Sequence, residues 1–315
     1  MPNILITGAN GFIGNAIVSK LVANDKDRVR VAVRKASRHF PETVEVHEGI
    51  DLAGETDWTR ALQDTDVVIH CAARVHVMRD TSTNPLSDFR KINTEGTLNL
   101  AHQAQAAGVK RFIFLSSLGV NGESTTDAPF KADDTPHPHS PYTQSKLEAE
   151  TALMELTRGG PMSVVIIRPP LVYGPNAPGN FGSLMRAVNK RLPLPLGAVA
   201  NKRSFVFLDN LVDMIICCVQ HPNAANQTFL VSDDEDLSTT QLLRKIGNAL
   251  GKPTLLLPVP TFMLHAAAKC LGKGKVAQQL LGSLQVDIEK TKTMLNWKPP
   301  VSVDDALRKT GATQR

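Results

Sequence analysis

Tyr142 and Lys146 are the residues whose types and spacing best suit proton transfer. They stand four positions apart just after Pro141, and proline is typical of the first turn of a helix. This spacing places both side chains on one helix face. Tyrosine has an ordinary pKa of about 10, and a neighbouring ammonium lowers it. We therefore expect the pKa of Tyr142 to be lowered toward neutrality, which suits an acid or base for a hydroxyl proton.

Two adjacent serines, Ser116 and Ser117, supply further hydroxyl groups. They close a predicted strand over residues 112–116, so they lie at its carboxyl end. A hydroxyl there could hydrogen-bond a substrate oxygen that is being oxidised or reduced. Serine at a strand end is also typical of turns. The position of Tyr142 shortly downstream favours a place in the same site.

A glycine-rich turn follows the first predicted strand and opens the first predicted helix. Its glycines let the backbone approach a pyrophosphate, and the helix N-terminus adds free N–H groups and a positive dipole. The spacing is GxxGxxG, and its strand–turn–helix context predicts dinucleotide binding rather than an ordinary turn. The cofactor contacts predicted here are Gly8, Asn10, Gly11, Phe12, Ile13 and Gly14.

The residues after the second predicted strand (29–33) bear on which dinucleotide binds. A carboxylate there would bind a ribose 2′-hydroxyl, whereas basic residues would bind a 2′-phosphate. The strand runs into Arg34 and Lys35, with Arg38 close behind. This pattern favours NADP(H), with NAD(H) possible. A solvated basic loop is the alternative interpretation, because charged strand ends are usually just exposed.

Two more pairs of residues follow predicted strands at the same edge. Asp51 and Leu52 come after the third strand and could contact adenine. Ala72 and Ala73 come after the fourth, where small side chains would leave room for the cofactor. Without the other motifs, we would interpret these alanines as core packing.

The elements that must position these residues alternate short β-branched runs with helical stretches from residue 3 to about 170. This alternation predicts an α/β fold, with a doubly wound parallel sheet of the Rossmann type. We predict a cofactor-binding domain over residues 1–172 and a smaller C-terminal α/β substrate domain over 173–315. Residues 204–220 are predicted to return to the first domain as a strand and a helix. The predicted strands are 4–7, 29–33, 44–47, 67–70, 112–116 and 164–168, and the predicted helices are 14–24, 59–63, 85–107 and 141–156.

The composition excludes several classes of protein. Apolar residues make up 42% of the 315-residue chain, and the four cysteines have neither metal-site nor secreted-framework spacing. A reducing cytoplasm and no metal are therefore expected. With a net charge of +5 and aromatics at 5%, the chain suits anionic small molecules better than nucleic acid. Residues 255–271 are apolar but interrupted, which favours an interior helix over a membrane anchor.

Together these motifs resemble the extended short-chain dehydrogenase/reductase family, in its branch of nucleotide-sugar epimerases, dehydratases and reductases. The resemblance covers nearly the whole chain. It rests on the glycine turn, on Asp-Val-Val-Ile-His-Cys-Ala-Ala at 66–73, on Asn93-Thr94-Glu95-Gly96-Thr97, on Tyr142 with Lys146, and on Arg168-Pro169. It implies catalytic roles for Ser117, Tyr142 and Lys146. It also implies cofactor contacts from Asn93, Ser116, Tyr142, Lys146 and Pro169.

The resemblance extends into the second half of the chain. Asn180 and Phe181 are similar to the family's segment beside a sugar nucleotide's diphosphate, and Arg203 is similar to its phosphate-binding arginine. With Ser117 and Tyr142, these residues make up the implied site for a UDP-hexose. The family's usual homodimer would pack helices 85–107 and 141–156 into a four-helix bundle.

Within the family, the residues after Ser117 bear on the reaction. Sugar 4,6-dehydratases have an Asp-Glu pair there, but this chain has Leu118-Gly119, so dehydration is not expected. A 4-ketoreductase would deliver hydride once from NADPH, and the basic residues after the second strand favour it. The alternative is a UDP-sugar 4-epimerase, which would remove and return hydride with a retained NAD. A non-catalytic cofactor sensor is a weaker alternative, because such relatives typically lose the tyrosine or lysine.

Overall fold

A seven-stranded parallel sheet forms the centre of the molecule in a computed structural model, which describes residues 1–24, 27–36, 39–75 and 84–313. The strands are β1 Asn3–Thr7, β2 Arg28–Ala32, β3 Glu45–His47, β4 Val67–His70, β5 Arg111–Leu115, β6 Ser163–Arg168 and β9 Gln227–Leu230. They lie in the order β3-β2-β1-β4-β5-β6-β9. The order reverses at β1, which pairs with both β2 and β4, so a crevice opens at the carboxyl ends of β1 and β4. This confirms the predicted α/β fold class.

The helices cover both faces of the sheet. The first half contains α1 Phe12–Asn24, α2 Thr59–Leu62, α3 Pro85–Phe89, a π-helical turn Arg90–Gly96, α4 Thr97–Ala106 and α5 Pro141–Leu156. The second half contains α6 Gly179–Asn189, α7 Leu208–Gln220, α8 Thr239–Leu250, α9 Thr261–Cys270, α10 Gly274–Leu281, α11 Glu289–Leu295 and α12 Val303–Ala312. Short 3₁₀ turns occupy Leu118–Val120 and Pro222–Ala224. The predicted helix over residues 85–107 is thus interrupted by a π-helical turn.

Alternating strand residues divide the sheet's core into two layers. Ile4 and Ile6 pack with α1 and α7, whereas Leu5 points to the other face, against α4 and α5. All three side chains are buried, as both faces of a parallel sheet require. Packing on both faces holds the strand ends in place, and the candidate site residues follow these ends.

A third hydrophobic core lies in the second half of the chain. It is built from aromatic and aliphatic residues of α6, α8 and α12, and from β7 Leu171–Tyr173 and β8 Phe205–Phe207, which pair in a separate two-stranded sheet. Within the segment 204–220, the strand β8 belongs to this small sheet, whereas the helix α7 packs against α1. β9, which was not predicted, then joins the large sheet beside β6. The division near residue 172 stays a prediction.

The prediction of an interior helix over residues 255–271 is wrong. The helix α9 does form there, but none of its residues is buried. Its apolar composition was interpreted as a sign of burial, yet most of its side chains face solvent. Within the described ranges, no helix has the length and hydropathy to cross a bilayer.

Candidate active site

The glycine turn between β1 and α1 is closely packed. Gly8 has φ +73°, and a Cβ there would lie 2.7 Å from the backbone nitrogen of Ala72. A Cβ on Gly14 would collide with the carbonyl oxygen of Gly8, and the Gly11 N–H donates to that same oxygen at 2.9 Å. Neither Gly8 nor Gly14 can thus be replaced by a residue with a side chain, and α1 begins at Phe12 with its free N–H groups at the crevice. These residues fit the pyrophosphate of a dinucleotide.

A buried polar network fixes the strand ends beside this turn. Thr7 Oγ1 lies 2.7 Å from His70 Nδ1 and accepts the Ala72 N–H at 3.2 Å. His70 Nε2 lies 2.9 Å from Thr97 Oγ1. Burial, with a smaller effect from Lys146, lowers the pKa of His70 to about 3, so the imidazole stays neutral. The sequence analysis assigned no role to Thr7 or His70. The signal that could have identified them is that each is a polar residue at the end of an otherwise apolar strand.

The adenosine side of the crevice holds two of the three predicted basic residues. Arg34 and Lys35 follow β2 and are exposed, and the Asn10 side chain donates to the Lys35 carbonyl at 2.8 Å. Arg38 lies outside the described residues. A carboxylate that the sequence argument missed is also here, because Glu48 accepts the Ala36 N–H at 3.2 Å. Both signs of charge are therefore present where the adenosine ribose would bind.

The predicted adenine contacts differ in their availability. Asp51 is exposed, and its carboxylate accepts the N–H of Leu52 at 2.9 Å. Leu52 is buried in the core layer that contains α4, against Gly96. Asp51 could thus meet a ligand with its side chain, whereas the side chain of Leu52 serves packing. Ala72 and Ala73 are half-buried at the crevice, as a cofactor wall requires.

The start of α5 presents Tyr142 and Lys146. Ser140 caps the helix with Thr143 in a reciprocal capping box, and Pro141 occupies the first turn. Tyr142 is half-buried, with its ring edge-on to Phe89 at 6.0 Å. Lys146 is 2% exposed, and its Nζ lies 4.1 Å from the Phe114 ring centroid. The two side chains stand on adjacent turns of one helix face, as predicted.

The expected lowering of the Tyr142 pKa is wrong for the protein alone. Burial raises the pKa of Tyr142 to about 12, because desolvation disfavours the phenolate. Burial also lowers the pKa of Lys146 to about 8, against an opposing attraction from Glu150. The sequence spacing predicted the pair but not the degree of burial that controls its titration.

Ser117 lies two residues after the end of β5, close to the first turn of α5. Its Oγ accepts the Gly119 N–H at 3.2 Å and caps the short 3₁₀ turn. A Cβ on Gly119 would lie 2.6 Å from Thr143 Cγ2, so only glycine allows this close approach to α5. The structure therefore brings the half-buried Ser117 beside the helix turn that carries Tyr142.

The side chain of Ser116 has a buried partner within the protein, and the predicted cofactor contact of this residue stays a prediction. Its hydroxyl donates to Glu150, whose carboxylate pairs with Arg168 at 2.5 Å. Arg168 also donates to the Asn121 side chain at 3.0 Å, and all four residues are buried. This network ties β5, α5 and β6 together beneath the site. The Ser116 side chain is thus engaged inside the protein, because successive strand residues face opposite sides.

Asn93 connects the end of β4 to α5. Its side chain accepts the Arg74 N–H at 2.8 Å and donates to the Arg74 carbonyl at 3.0 Å. It also donates to Ser145 Oγ at 3.1 Å, while Thr94 donates to the Ser145 carbonyl at 3.0 Å. Asn93 is buried within the π-helical turn. The Asn93 side chain therefore positions the residues on either side of the crevice, and the predicted cofactor contact of Asn93 stays a prediction.

Two predicted substrate contacts meet at α10. Asn180 is exposed, and its amide donates to Gln279 of α10 at 2.5 Å. Arg203 donates to the Gly282 carbonyl, just after α10, at 2.9 Å. Burial lowers the pKa of Arg203, which still leaves a guanidinium charged at neutral pH. The structure thus gathers an amide and a cation at the same end of one helix.

The other two residues of this region are buried. Phe181 is 2% exposed and packs on Tyr173, with ring centroids 5.1 Å apart. Its side chain belongs to the third core, so its predicted contact with substrate could come only from its backbone. Pro169 is also buried, and its carbonyl accepts the Leu118 N–H at 2.9 Å, which holds the turn after Ser117.

A crevice at the switch point of a doubly wound sheet, with Ser117, Tyr142 and Lys146 beside a glycine turn, defines an extended short-chain dehydrogenase/reductase. The model of the "NAD dependent epimerase/dehydratase family" matches residues 4–232. The chain therefore belongs to the NAD-dependent epimerase/dehydratase family. This membership confirms an NAD(P)-type enzyme.

Individual relatives agree with this membership. The chain is 47% identical over 318 residues to a UDP-glucose 4-epimerase of Vibrio cholerae, covering 98% of this chain and 95% of the relative. It is 29% identical to an N-acetyl-alpha-D-glucosaminyl-diphospho-ditrans,octacis-undecaprenol 4-epimerase of Escherichia coli O157:H7, covering 83% of this chain and 77% of that relative.

Solved structures share the fold. The structure of UDP-glucose 4-epimerase with UDP-glucose from Thermotoga maritima superimposes with a TM-score of 0.78 at 24% identity, covering 99% of this chain and 98% of that one. The UDP-glucuronic acid 4-epimerase of Bacillus cereus in complex with NAD gives 0.80 at 22% identity, with the same coverage. At these identities the likeness shows a common fold.

Proposed function

We propose that the chain is a 4-epimerase of UDP-hexoses. The observation that carries the proposal is its 47% identity, over nearly the whole of both chains, to the UDP-glucose 4-epimerase of Vibrio cholerae. The gathering of Ser117, Tyr142 and Lys146 beside the crevice supplies the groups that such a reaction needs. The sequence favoured the 4-ketoreductase, but this relative supports the alternative better.

The residues around the crevice suit a bound dinucleotide. The turn from Gly8 to Gly14 would hold its pyrophosphate, Arg34 or Glu48 its adenosine ribose, and Lys146 its nicotinamide half. When bound, the nicotinamide accepts and returns a hydride at carbon 4 of the hexose. The neutral His70 and the buried Asn93 hold this edge of the sheet in place.

Proton transfer in this proposal belongs to Tyr142. Its phenolic oxygen takes the proton of the sugar 4-hydroxyl and gives it back, while the Ser117 hydroxyl holds the same sugar oxygen. A pKa of about 12 in the protein alone makes the phenolate scarce, so positive charge in the occupied site must stabilise it. Lys146, with a pKa of about 8, is mostly protonated at pH 7 and provides one such charge.

Product analysis tests the proposal directly. Purified enzyme is incubated with UDP-glucose, without added NADPH, and the sugar nucleotides are separated by chromatography. An epimerase gives UDP-galactose up to an equilibrium ratio. If the UDP-hexoses tried stay unchanged while a UDP-4-keto sugar is consumed with NADPH, the proposal fails and the 4-ketoreductase replaces it.

The 4-ketoreductase remains the second candidate because of the basic strand end. Arg34 and Lys35 are exposed at the adenosine ribose side, which favours a 2′-phosphate. Glu48, beside them, favours a 2′-hydroxyl. The balance between these charges decides which cofactor binds. A preference for NADPH supports reduction, and tightly held NAD⁺ supports epimerisation.

Arg34→Asp is expected to change the cofactor preference. Losing a charge-assisted contact and adding repulsion should shift the ratio of NADPH to NADH affinity by roughly ten- to a hundredfold toward NADH. Fluorescence titration with both reduced cofactors measures it. Arg28→Asp is the matched control, since Arg28 is exposed at the opposite end of the same strand. An unchanged ratio in Arg34→Asp would place the 2′ position elsewhere.

Arg203→Ala is expected to weaken UDP binding. A guanidinium–diphosphate contact contributes ~1.5–3 kcal/mol, so calorimetric titration should show roughly ten- to a hundredfold lower affinity. Arg244→Ala is the control, because Arg244 is an exposed arginine of the same half. Equal affinity of Arg203→Ala and wild type would mean that the diphosphate binds away from α10.

A further inference from the structure

Helix α9 has an apolar face that is turned to solvent, whereas a core helix turns its apolar face to the protein. Its partly buried residues are Thr261, Leu264 and Ala268, of which Leu264 packs against the third core. The face turned to solvent carries Phe262, 72% exposed, and Met263, 51% exposed. Ala266, Ala267 and Cys270 continue that face at i,i+4 spacing and are also exposed. An apolar stripe therefore points away from the protein.

More apolar side chains surround this stripe. Leu255 and Leu257 precede α9, Leu271 ends it, and Val276 lies on α10, which packs against α9; all four are exposed. Together with Phe262 and Met263 they make up what we call the α9 surface. Single exposed apolar residues need no explanation, but a cluster of large ones marks an interaction surface.

The segment of the chain that contains the α9 surface carries charges of one sign. Residues 237–286 contain six Lys or Arg and no Asp or Glu, so this segment carries more than the net charge of +5 of the whole chain. Lys269 and Lys273 are exposed beside the apolar stripe. Neither makes an ion pair within the described part of the chain. The surface thus combines protruding apolar groups with the positive charges of Lys269 and Lys273.

We propose that the α9 surface binds an anionic phospholipid membrane. Apolar side chains enter the boundary between headgroups and acyl chains, while lysines attract the anionic headgroups. A ten-residue helix is about 15 Å long, too short to cross a bilayer, so it lies along the surface. A second copy of the chain fits less well, because a twofold contact would bring together two surfaces that both carry the positive charges of Lys269 and Lys273.

The membrane contact goes beyond the proposed reaction and would lie next to the substrate half of the site. α10, which packs against α9, also holds Asn180 through Gln279 and ends beside the Gly282 carbonyl that accepts from Arg203. The enzyme would then turn its sugar-nucleotide end toward the membrane surface. Turnover of the isolated protein does not depend on this contact.

Vesicle sedimentation tests the proposal with the full-length protein. Wild type should pellet with vesicles of phosphatidylglycerol and phosphatidylcholine, and far less with phosphatidylcholine alone. Binding should also fall in 0.5 M salt, which shortens the Debye length to about 4 Å and screens the attraction. Phe262→Glu should reduce the partition coefficient at least tenfold, and Lys269→Gln and Lys273→Gln roughly fivefold each. Val46→Glu, at another exposed apolar residue, should have no effect.

Two results would overturn the membrane proposal. One is equal binding of wild type and Phe262→Glu to the anionic vesicles. The other is wild type that ignores vesicles but forms a dimer that Phe262→Glu dissociates, measured by analytical ultracentrifugation. Because Phe262 lies outside the crevice, sugar-nucleotide turnover in Phe262→Glu reports separately on the proposed function.

Discussion

Tyr142→Phe is expected to lower turnover by ~10² or more while leaving cofactor affinity nearly unchanged. Phenylalanine keeps the ring that packs edge-on to Phe89 but removes the only group proposed to carry the proton. Turnover is measured with a saturating sugar nucleotide, and cofactor affinity by fluorescence titration. The loss should therefore appear in kcat rather than in the binding of the dinucleotide.

Tyr173→Phe is the matched control, because the chain has only two tyrosines. Tyr173 is 1% exposed and its ring packs in the third core against Phe181 and Phe207. Removal of the Tyr173 hydroxyl should leave turnover within a few-fold of wild type. Near-wild-type turnover in Tyr142→Phe would remove that tyrosine from the mechanism.

Glu150→Ala is expected to destabilise the protein by about 3–5 kcal/mol. The substitution leaves the Arg168 guanidinium buried without its counter-charge and takes away the acceptor of the Ser116 hydroxyl. Denaturant unfolding followed by circular dichroism measures the change in free energy of unfolding. The effect should be large because an isolated charge in the interior is far more costly than the pair is stabilising.

Glu155→Ala is the control, because it removes a glutamate from the same helix without removing the partner of Arg168. Glu155 is exposed on the same helix, so its substitution should change stability by no more than about 0.5 kcal/mol. If Glu150→Ala proved as mild as Glu155→Ala, the Glu150–Arg168 pair would not be the connection between β5, α5 and β6 that its geometry indicates.

Much of the fold could be predicted because apolar runs and glycine turns act locally. Six of the seven strands of the sheet, the glycine turn and the start of α5 follow directly from such patterns. β9, Gln227–Leu230, was missed, and its place in the sheet depends on pairing with β6, which is distant in sequence. α9 was misjudged because apolar content does not say which side of a helix faces the protein.

The site was predictable in its residue types and less so in their roles. Spacing alone placed Tyr142 and Lys146 on one face, but the pKa of each depends on burial, which only the packed structure defines. The different roles of adjacent residues were the hardest to predict from the sequence. Ser116 points inward to Glu150 while Ser117 stays near α5, and Phe181 is in the core while Asn180 is exposed.

The position of β9 at the edge of the sheet has a consequence for how the chain folds. Until Leu230 has been synthesised, β6 is an edge strand, with the backbone of apolar residues from Val164 to Ile167 open to pairing with other chains. The small sheet of β7 and β8 and the whole of α7 are synthesised before this edge is covered. Nascent chains must therefore protect an unfinished sheet while later segments emerge, and a fragment ending near residue 172 would keep that edge permanently. Because β9 of the large sheet follows β7 and β8 along the chain, the two sheets cannot be separated by a single cut.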